Sequence, residues 1–258
     1  TDITEQKVSE RDRVQLAVER EKVKLLREFI SEVTHDLKSP LSAINLKVHQ
    51  IARTEDAQQR ASLVEDVKRQ TARMGSMIGD LLTLSRLESI SEFTVSRIDL
   101  NAMLGEICER AEALANRGSI ALRQEYDKVP SLLADSDDLA RALNNLIENA
   151  LHYTPPGGEV VISTSAHHGG ARVCVRDTGI GIAESDLPHI FDRFYRAANA
   201  RAHDPAGTGL GLAIVRKIIQ QHRGHIEVTS VLGEGTTFTV YLPDVSALDS
   251  YSTSSTTA

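Results

Sequence analysis

The sequence predicts a protein of two parts, an α-helical hairpin followed by an α+β domain in which helices and strands form separate layers. Apolar residues recur at heptad spacing through the first fifty residues, as Leu16, Val23, Ile30, Leu37 and Ile44. From residue 93 onward, apolar residues alternate as in strands, between turns rich in glycine and proline. The length of 258 residues accommodates two ordinary domains.

The helical part is predicted to contain two long helices. One helix of about forty-five residues runs from near Val8 to near Ala52. The second follows the polar segment 53–56 and carries apolar residues at steps of three and four as far as Leu84. Two helices bury little apolar surface by themselves, so heptads on both favour pairing two hairpins, residues 8–89 of each chain, into a dimeric four-helix bundle.

The second part is predicted from alternation, capping residues and turns. The periodicity breaks at residues 89–91, which we interpret as a short linker, and the Ser/Thr-rich residues 246–258 are predicted to form a disordered tail. The predicted strands are residues 93–98, 120–126, 130–134, 160–164, 171–175, 226–230 and 236–242, and the predicted helices are residues 101–116, 136–152 and 209–222. Helices and strands segregate, which is typical of an α+β layer.

Charge and hydropathy narrow the function classes. A formal net charge of -7 argues against a general nucleic-acid binder, because phosphate backbones are held by clustered Lys and Arg. No apolar run approaches eighteen residues and no signal peptide opens the chain, so we expect no membrane contact by these residues and a cytoplasmic location. The first residue is Thr1, which suggests a fragment whose upstream part is free to contain a membrane anchor.

His35 is the first candidate functional residue. In the heptad register it falls at position f, so its ring is predicted to face solvent rather than the apolar seam. Asp36 beside it is suited to hold one ring nitrogen or to take its proton while the other nitrogen attacks. Taken alone, an exposed His next to an Asp is weak evidence of function, and a solvated polar face is the more common interpretation of this pattern.

Three glycine clusters stand out, at residues 177–182, 207–212 and 233–236. None has the spacing of a P-loop or of the dinucleotide-binding fingerprint. The middle cluster opens a predicted helix, whose first N–H groups and dipole favour anions, so it predicts a phosphate site. The third cluster is interpreted as a hairpin turn.

Polar residues near these clusters suit a nucleotide. Asp177 ends a predicted strand, where its carboxylate is placed to accept a hydrogen bond from an exocyclic amino group such as that of adenine. Asn145 and Asn149 lie one turn apart on one face of an otherwise apolar helix. They suit structural capping, and equally they suit Mg²⁺ and its bound phosphates.

Five motifs in order resemble those of the catalytic core of bacterial sensor histidine kinases, over residues 22–243. Residues 33–41 resemble the H box, 145–150 with 153–155 the N box, 177–181 the first glycine box, 190–196 the F box and 207–212 the second glycine box. Residues 1–5 resemble the end of a PAS sensor domain. The resemblance implies a signalling helix at 1–21, a dimerisation and phosphotransfer domain at 22–90, a catalytic domain at 91–245 and a tail at 246–258.

The same resemblance implies a Bergerat-type α/β sandwich that binds ATP and Mg²⁺ under a lid at about residues 195–208. Asn149 is the expected Mg²⁺ ligand, Asn145 a partner of the phosphates, Tyr153 an adenine contact and Asp177 the reader of the adenine amino group. Arg193 or Arg196 is expected at the phosphates or the phosphoacceptor helix, and His203 receives no predicted role. The remaining nucleotide-binding residues implied are Gly179, Gly181, Thr208, Gly209, Leu210, Gly211 and Leu212.

The implied reaction is autophosphorylation of His35, with Asp36 as general base, in a homodimer that passes the phosphoryl group to the receiver domain of a response regulator. Ser39 stands where the family usually has Thr or Asn, which leaves phosphatase activity open. One alternative is a Bergerat-type ATPase that couples ATP binding to conformational change without a phosphohistidine. Another is a scaffold that has lost catalysis and only dimerises.

Overall fold

A computed structural model describes residues 33–34, 37–88, 94–204 and 207–244. The chain divides into two compact units between Ile78 and Gly79. His35 and Asp36 lie outside the described residues, as do the predicted signalling helix at residues 1–21 and the predicted tail at 246–258. Within the part of the chain that is described, no helix is both long and apolar enough to cross a bilayer.

The first unit is a helical hairpin. Residues 37–53 form helix α1, residues 54–56 connect it to the next helix, and α2 spans Ala57–Glu88. The Asp56 carboxylate accepts hydrogen bonds from the backbone N–H of Gln58 at 2.8 Å and of Gln59 at 3.3 Å, so it caps the start of α2. The predicted hairpin and its polar connection are confirmed. The predicted start of the first helix, near Val8, lies outside the described residues.

The second unit contains a five-stranded mixed sheet. Its helices are α3 (Leu100–Gly118), α4 (Ser136–Tyr153), α5 (Ala198–His203) and α6 (Gly211–Gln221), and its strands are β1 (Ser96–Ile98), β2 (Ala121–Tyr126), β3 (Leu132–Ala134), β4 (Glu159–His167), β5 (Gly170–Asp177), β6 (His225–Val231) and β7 (Gly235–Leu242). The sheet order is β2-β4-β5-β7-β6, in which β2 and β4 are parallel and the other neighbours antiparallel. Strands β1 and β3 form a separate antiparallel pair.

The core lies between one face of this sheet and helices α3, α4 and α6. Side chains along β5 and β7 alternate between buried and more exposed, as expected when one face is covered. Leu146 and Ile147 of α4 and Ile214 and Ile218 of α6 are fully buried in this layer. The prediction of a helical hairpin followed by an α/β sandwich is therefore confirmed.

Several element boundaries differ from the prediction. The first strand was predicted to begin at residue 93, whereas β1 begins at Ser96. Residues 94 and 95 are not in a strand, and residue 93 lies outside the described residues. The turn between β4 and β5 is tighter than predicted, since His168 and Gly169 both take positive φ, 46° and 84°, as a two-residue hairpin turn requires. Helix α5 was not predicted.

The last ten residues of α2, Gly79–Glu88, belong to the second unit. There the Arg86 guanidinium pairs with the buried Asp138 carboxylate at the start of α4. The Gln221 side-chain amide donates to the carbonyl of Leu87 at 3.0 Å. The end of α2 is thus held against α4 and α6 by polar contacts.

His222 joins the end of α6 to the start of α4. The residue is 4% exposed. Its Nδ1 lies 2.8 Å from the carbonyl oxygen of Ile218, and its Nε2 accepts a hydrogen bond from the backbone N–H of Asp135 at 3.0 Å. A carbonyl only accepts, so the ring carries its proton on Nδ1. The neutral ring satisfies a buried N–H at the point where α4 begins.

Replacing His222 by Ala is expected to lower the free energy of unfolding by about 2–4 kcal/mol, because it leaves the Asp135 N–H without an acceptor and opens a cavity. His225→Ala, at an exposed ring, is expected to cost less than about 1 kcal/mol. Urea unfolding followed by far-UV circular dichroism measures both. Equal costs for the two variants would contradict this role of His222.

Candidate functional site

Helix α4 presents a polar stripe. Asn145, Asn149 and Tyr153 are four residues apart, so they lie on one face, and each is half-buried. The intervening Leu146 and Ile147 are fully buried on the opposite side. The apolar face of α4 packs against the sheet and contributes to the core. The amides on its other face do not contribute to the core. The predicted alignment of the two asparagines is confirmed.

Asp177 lies at the end of β5 and is 7% exposed. Its Oδ1 accepts hydrogen bonds from the backbone N–H of Gly179 at 2.8 Å and of Thr236 at 3.2 Å. Both hydrogen bonds go to Oδ1. Oδ2 has no partner among the described residues and is left to accept a hydrogen bond from a ligand.

Burial raises the pKa of Asp177 above its ordinary value of 3.8, and the two backbone N–H groups only partly oppose this effect. Ionisation of this carboxyl group therefore lowers the free energy of unfolding of the protein. Groups that cost stability in this way are common at functional sites.

The first glycine cluster connects Asp177 to the end of α4. The backbone N–H of Ile180 donates to the carbonyl of Tyr153 at 3.1 Å. A Cβ atom added to Gly179 would lie 2.5 Å from that same carbonyl oxygen, so only glycine allows this approach. The end of the polar stripe and Asp177 are thereby held side by side.

The second glycine cluster leads into α6. Gly209 takes a φ of 71°, and a Cβ atom there would lie 2.7 Å from the backbone of Phe194, whose N–H donates to the Gly209 carbonyl at 3.0 Å. Helix α6 begins at Gly211, two residues later than predicted, because Gly209 is outside the helical region. No side chain caps its start, so the first-turn N–H groups are available to an anion.

Asn145 faces this uncapped helix start. Its Nδ2 is buried and has no hydrogen-bond partner among the described residues, and it lies 3.9 Å from the position of a Cβ atom on Gly211. A buried donor without an acceptor costs about 1–3 kcal/mol. An anionic ligand at the start of α6 would supply that acceptor, so the residues present fit a phosphate group.

Thr208 makes two contacts. Its hydroxyl accepts from the N–H of Leu210 at 3.3 Å and donates to Asp80 of α2 at 3.3 Å. Asp80 also pairs with Arg141 of α4 at 3.1 Å. Burial raises the pKa of Asp80, while Arg141 and Thr208 oppose the increase. This contact with the end of α2 was not predicted, because Asp80 belongs to a helix assigned from its apolar spacing alone.

The two arginines of the F box differ. Arg193 is exposed. The side chain of Arg196 is 12% exposed, and its guanidinium donates to the carbonyls of Gly207 at 3.0 Å, Ala200 at 3.3 Å and Asp204. Arg196 therefore holds the predicted lid segment together, and its predicted contact with phosphates stays a prediction. Phe191 is buried, and Phe194 is half-buried with a φ of 60°.

Four more predicted site residues lie in described parts of the chain. Gly181 is in the first glycine cluster, and Leu212 is in the second. Leu210 is fully buried, whereas Ser39 is exposed on α1. The third glycine cluster forms the predicted turn between β6 and β7. The contribution of Thr236 to Asp177 was missed, although the glycines next to it were a signal that the backbone approaches something closely.

Two family models match the chain. Residues 25–90, which include His35, match the His Kinase A (phospho-acceptor) domain. Residues 134–246, which include the site above, match the histidine kinase-, DNA gyrase B- and HSP90-like ATPase family. The fold and the matched ranges together define a phospho-acceptor hairpin followed by an ATPase-type domain.

Proteins of similar sequence or structure belong to the same class. The sensor-like histidine kinase SenX3 of Mycolicibacterium smegmatis is 33% identical over 228 residues, which are 88% of this chain and 59% of that protein. The structure of full-length ShkA in complex with AMPPNP is 28% identical, with a TM-score of 0.63, over 84% of this chain and 45% of that one. The chain belongs to the sensor histidine kinase family.

The structure of the histidine kinase ThkA in complex with the response regulator protein TrrA shares the fold, with a TM-score of 0.73 and 23% identity over 87% of this chain and 64% of that one. The chain spans about half the length of the curated relatives it matches.

Asp177→Asn is expected to raise the melting temperature at pH 7 by about 2–4 °C. Folding raises the pKa of this carboxyl, so its contribution to stability is present below pH 3.8 and is lost as pH rises through the folded-state pKa. The Asn side chain keeps the oxygen that accepts from Gly179 and Thr236 and avoids that loss. The stability difference between variant and wild type should therefore grow as pH rises from below 3.8.

Thermal unfolding from pH 3 to 8 measures this difference. Asp127→Asn, at an exposed carboxylate, is the control and should follow the wild type. Parallel curves for wild type and Asp177→Asn at every pH would show that the burial of Asp177 has no energetic effect.

Proposed function

We propose that this chain is an ATP-dependent protein histidine kinase that phosphorylates His35 and passes the phosphoryl group to an aspartate of a response regulator. The observation that carries the proposal is the buried, unpartnered Nδ2 of Asn145 opposite the uncapped start of α6. This arrangement suits a polyphosphate, and Asp177 lies beside the other end of α4 with one oxygen unpartnered. Membership of the family supplies the acceptor domain around His35.

In this proposal the nucleotide lies along the polar stripe of α4. Oδ2 of Asp177 accepts from the amino group of adenine, and the Tyr153 ring contacts the base. Asn145 and the N–H groups that follow Gly209 hold the phosphates. The relative ShkA has been crystallised with AMPPNP, an analogue of ATP, which supports the same ligand class here.

Mg²⁺ is proposed to bind at Asn149. Its side chain is half-buried on the same face of α4 as that of Asn145. An amide oxygen together with phosphate oxygens is a donor set that Mg²⁺ prefers. The ion would neutralise phosphate charge during transfer.

The proposed transfer is in-line. One ring nitrogen of His35 attacks the γ-phosphorus, the bond to the β,γ-bridging oxygen breaks, and ADP leaves. Asp36 holds or takes the proton of the other ring nitrogen, which keeps the attacking lone pair free. Most of the rate enhancement in such a reaction comes from positioning and charge neutralisation.

The second step is proposed to deliver the phosphoryl group to a receiver-domain aspartate. ThkA, which shares the fold, was crystallised with a response regulator. Ser39 is exposed four residues after His35, where its hydroxyl is accessible to a bound receiver domain. We assign to Ser39 the orientation of the water that, in any phosphatase reaction, attacks the phosphoaspartate of the regulator and releases inorganic phosphate.

A homodimer is proposed through the hairpin. Leu41 and Val48, seven residues apart on α1, are each 49% exposed, and Val64 and Ile78, fourteen apart on α2, are 36% and 46% exposed. Exposed apolar side chains at multiples of seven form a stripe on each helix, which suits pairing with a second hairpin. The proposed domain division at residues 22–90 and 91–245 follows the predicted linker.

The alternative is an ATPase of the same fold that never forms a phosphohistidine. The pocket described above would serve both enzymes equally. What favours the kinase is the match of residues 25–90 to a phospho-acceptor domain, for which such an ATPase has no use.

The deciding experiment uses ATP labelled at the γ-phosphate. Wild-type protein is expected to gain label that is labile to acid and stable to base, while His35→Gln gains at least about 100-fold less label and still binds ADP with wild-type affinity. Label retained on His35→Gln would exclude the histidine as acceptor. ATP hydrolysis by both proteins, without label on either, would favour the ATPase.

Replacing both Leu41 and Val48 by Glu is expected to give a monomer at micromolar concentration, since charge on the stripe prevents apolar burial. Gln50→Glu, at an exposed polar position of α1, should leave the dimer intact. Analytical ultracentrifugation measures both. A dimer of unchanged affinity in the double variant would exclude this surface as the interface.

A further inference from the structure

The short helix α5 contacts two segments of the second unit. One is the first glycine cluster, which begins at Asp177, and the other is the end of α4, which carries Tyr153. Nδ2 of Asn199 donates to the carbonyl of Gly181, in the first glycine cluster, at 2.7 Å. Nε2 of His203 lies 3.0 Å from the carbonyl oxygen of His152, at the end of α4. A carbonyl only accepts, so His203 donates through Nε2–H. One helix of six residues is thus attached to both segments.

Side chains around the end of α5 strengthen this attachment. Nε2 of His152 lies 3.3 Å from the Asp204 carboxylate, which also lies 3.8 Å from the Arg196 guanidinium. Arg196 binds three backbone carbonyls of the same segment. Six residues are too few for a stable isolated helix, so these contacts, and not helix propensity, hold α5 in place.

The attachment lies beside the proposed adenine contact. The ring of Tyr153 lies 5.1 Å from the ring of His152 and 5.8 Å from that of His203, centroid to centroid. The contact at Gly181 lies in the same cluster as Gly179, which binds Asp177. The hydrogen bonds of Asn199 and His203 therefore reach the segments of both residues assigned to the base, and neither bond reaches Asn145 or the N–H groups that follow Gly209.

We propose that Asn199 and His203 are positioning residues for the nucleotide base. Their two hydrogen bonds keep α5 docked across the first glycine cluster and the end of α4, which fixes Tyr153 and slows release of a bound nucleotide. The inference rests on the proposed ATP site. Holding the base end in its binding geometry before the ligand arrives lowers the ordering cost of binding.

Matched variants separate hydrogen bonding from packing. His203→Gln keeps an N–H donor for the His152 carbonyl, whereas His203→Leu removes it. Asn199→Asp keeps the oxygen that accepts from the Ala200 N–H at 2.9 Å and loses the donor to Gly181. His49→Leu is the control, because the His49 ring also bonds a backbone carbonyl, that of Asn45 at 2.8 Å, but on α1.

The measurements are the release rate of a fluorescent ADP with Mg²⁺ by stopped flow and the affinity for inorganic tripolyphosphate by calorimetry, on the full chain. His203→Leu and Asn199→Asp are expected to release ADP about tenfold faster, equivalent to about 1.4 kcal/mol. Tripolyphosphate affinity should stay within about twofold of wild type, because it lacks a base. His203→Gln should release ADP within about threefold of the wild-type rate, and His49→Leu at that rate.

Wild-type release rates in His203→Leu, or equally fast release in His203→Leu and His203→Gln, would overturn the proposal and leave the ATP site standing. A loss of tripolyphosphate affinity in Asn199→Asp as large as the change in its ADP release rate would overturn the proposal as well. The added negative charge, and not the positioning of the base, would then explain the effect. No binding of ADP by the wild type would overturn the proposed function and, with it, this inference.

Discussion

The second unit depends on one buried carboxylate held by two backbone N–H groups. Asp177 accepts from Gly179 on one side and from Thr236 on the other, so the end of β5, the first glycine cluster and the start of β7 meet at a single oxygen atom. Burial raises the pKa of this carboxyl, so its charge reduces the stability of the fold. Such a cost is expected where a structure is organised around a ligand rather than around its own stability.

The same reasoning applies to α4. Its buried face explains why the helix forms and where it packs, and its other face carries an amide whose buried Nδ2 atom the described residues leave unpaired. Asn145, the uncapped start of α6 and Asp177 lie on three elements that are distant in sequence. The fold brings together groups that the core does not need, and a nucleotide is the ligand class that would satisfy all of them.

Local patterns were sufficient to predict most elements and several site residues. Heptad spacing gave the hairpin, and the alternation of apolar residues gave the strands of the sheet. The residues missed were those whose role depends on distant contacts. Helix α5 has no apolar periodicity and is held by Arg196, Asn199 and His203, so no local signal marked it. Thr236 acts through its backbone, which side-chain chemistry does not reveal.

The order of the sheet has a consequence for self-association. Strands β2 and β6 are its two edges, and each carries exposed charged side chains, Arg123 and Glu125 on β2 and Glu227 on β6. Charges along an edge strand discourage a second sheet from adding to it, because their desolvation opposes the backbone hydrogen bonds that would form. Edge-to-edge aggregation of the second unit is thereby disfavoured. This property of the sheet edges fits the proposal that two chains pair through their helical hairpins.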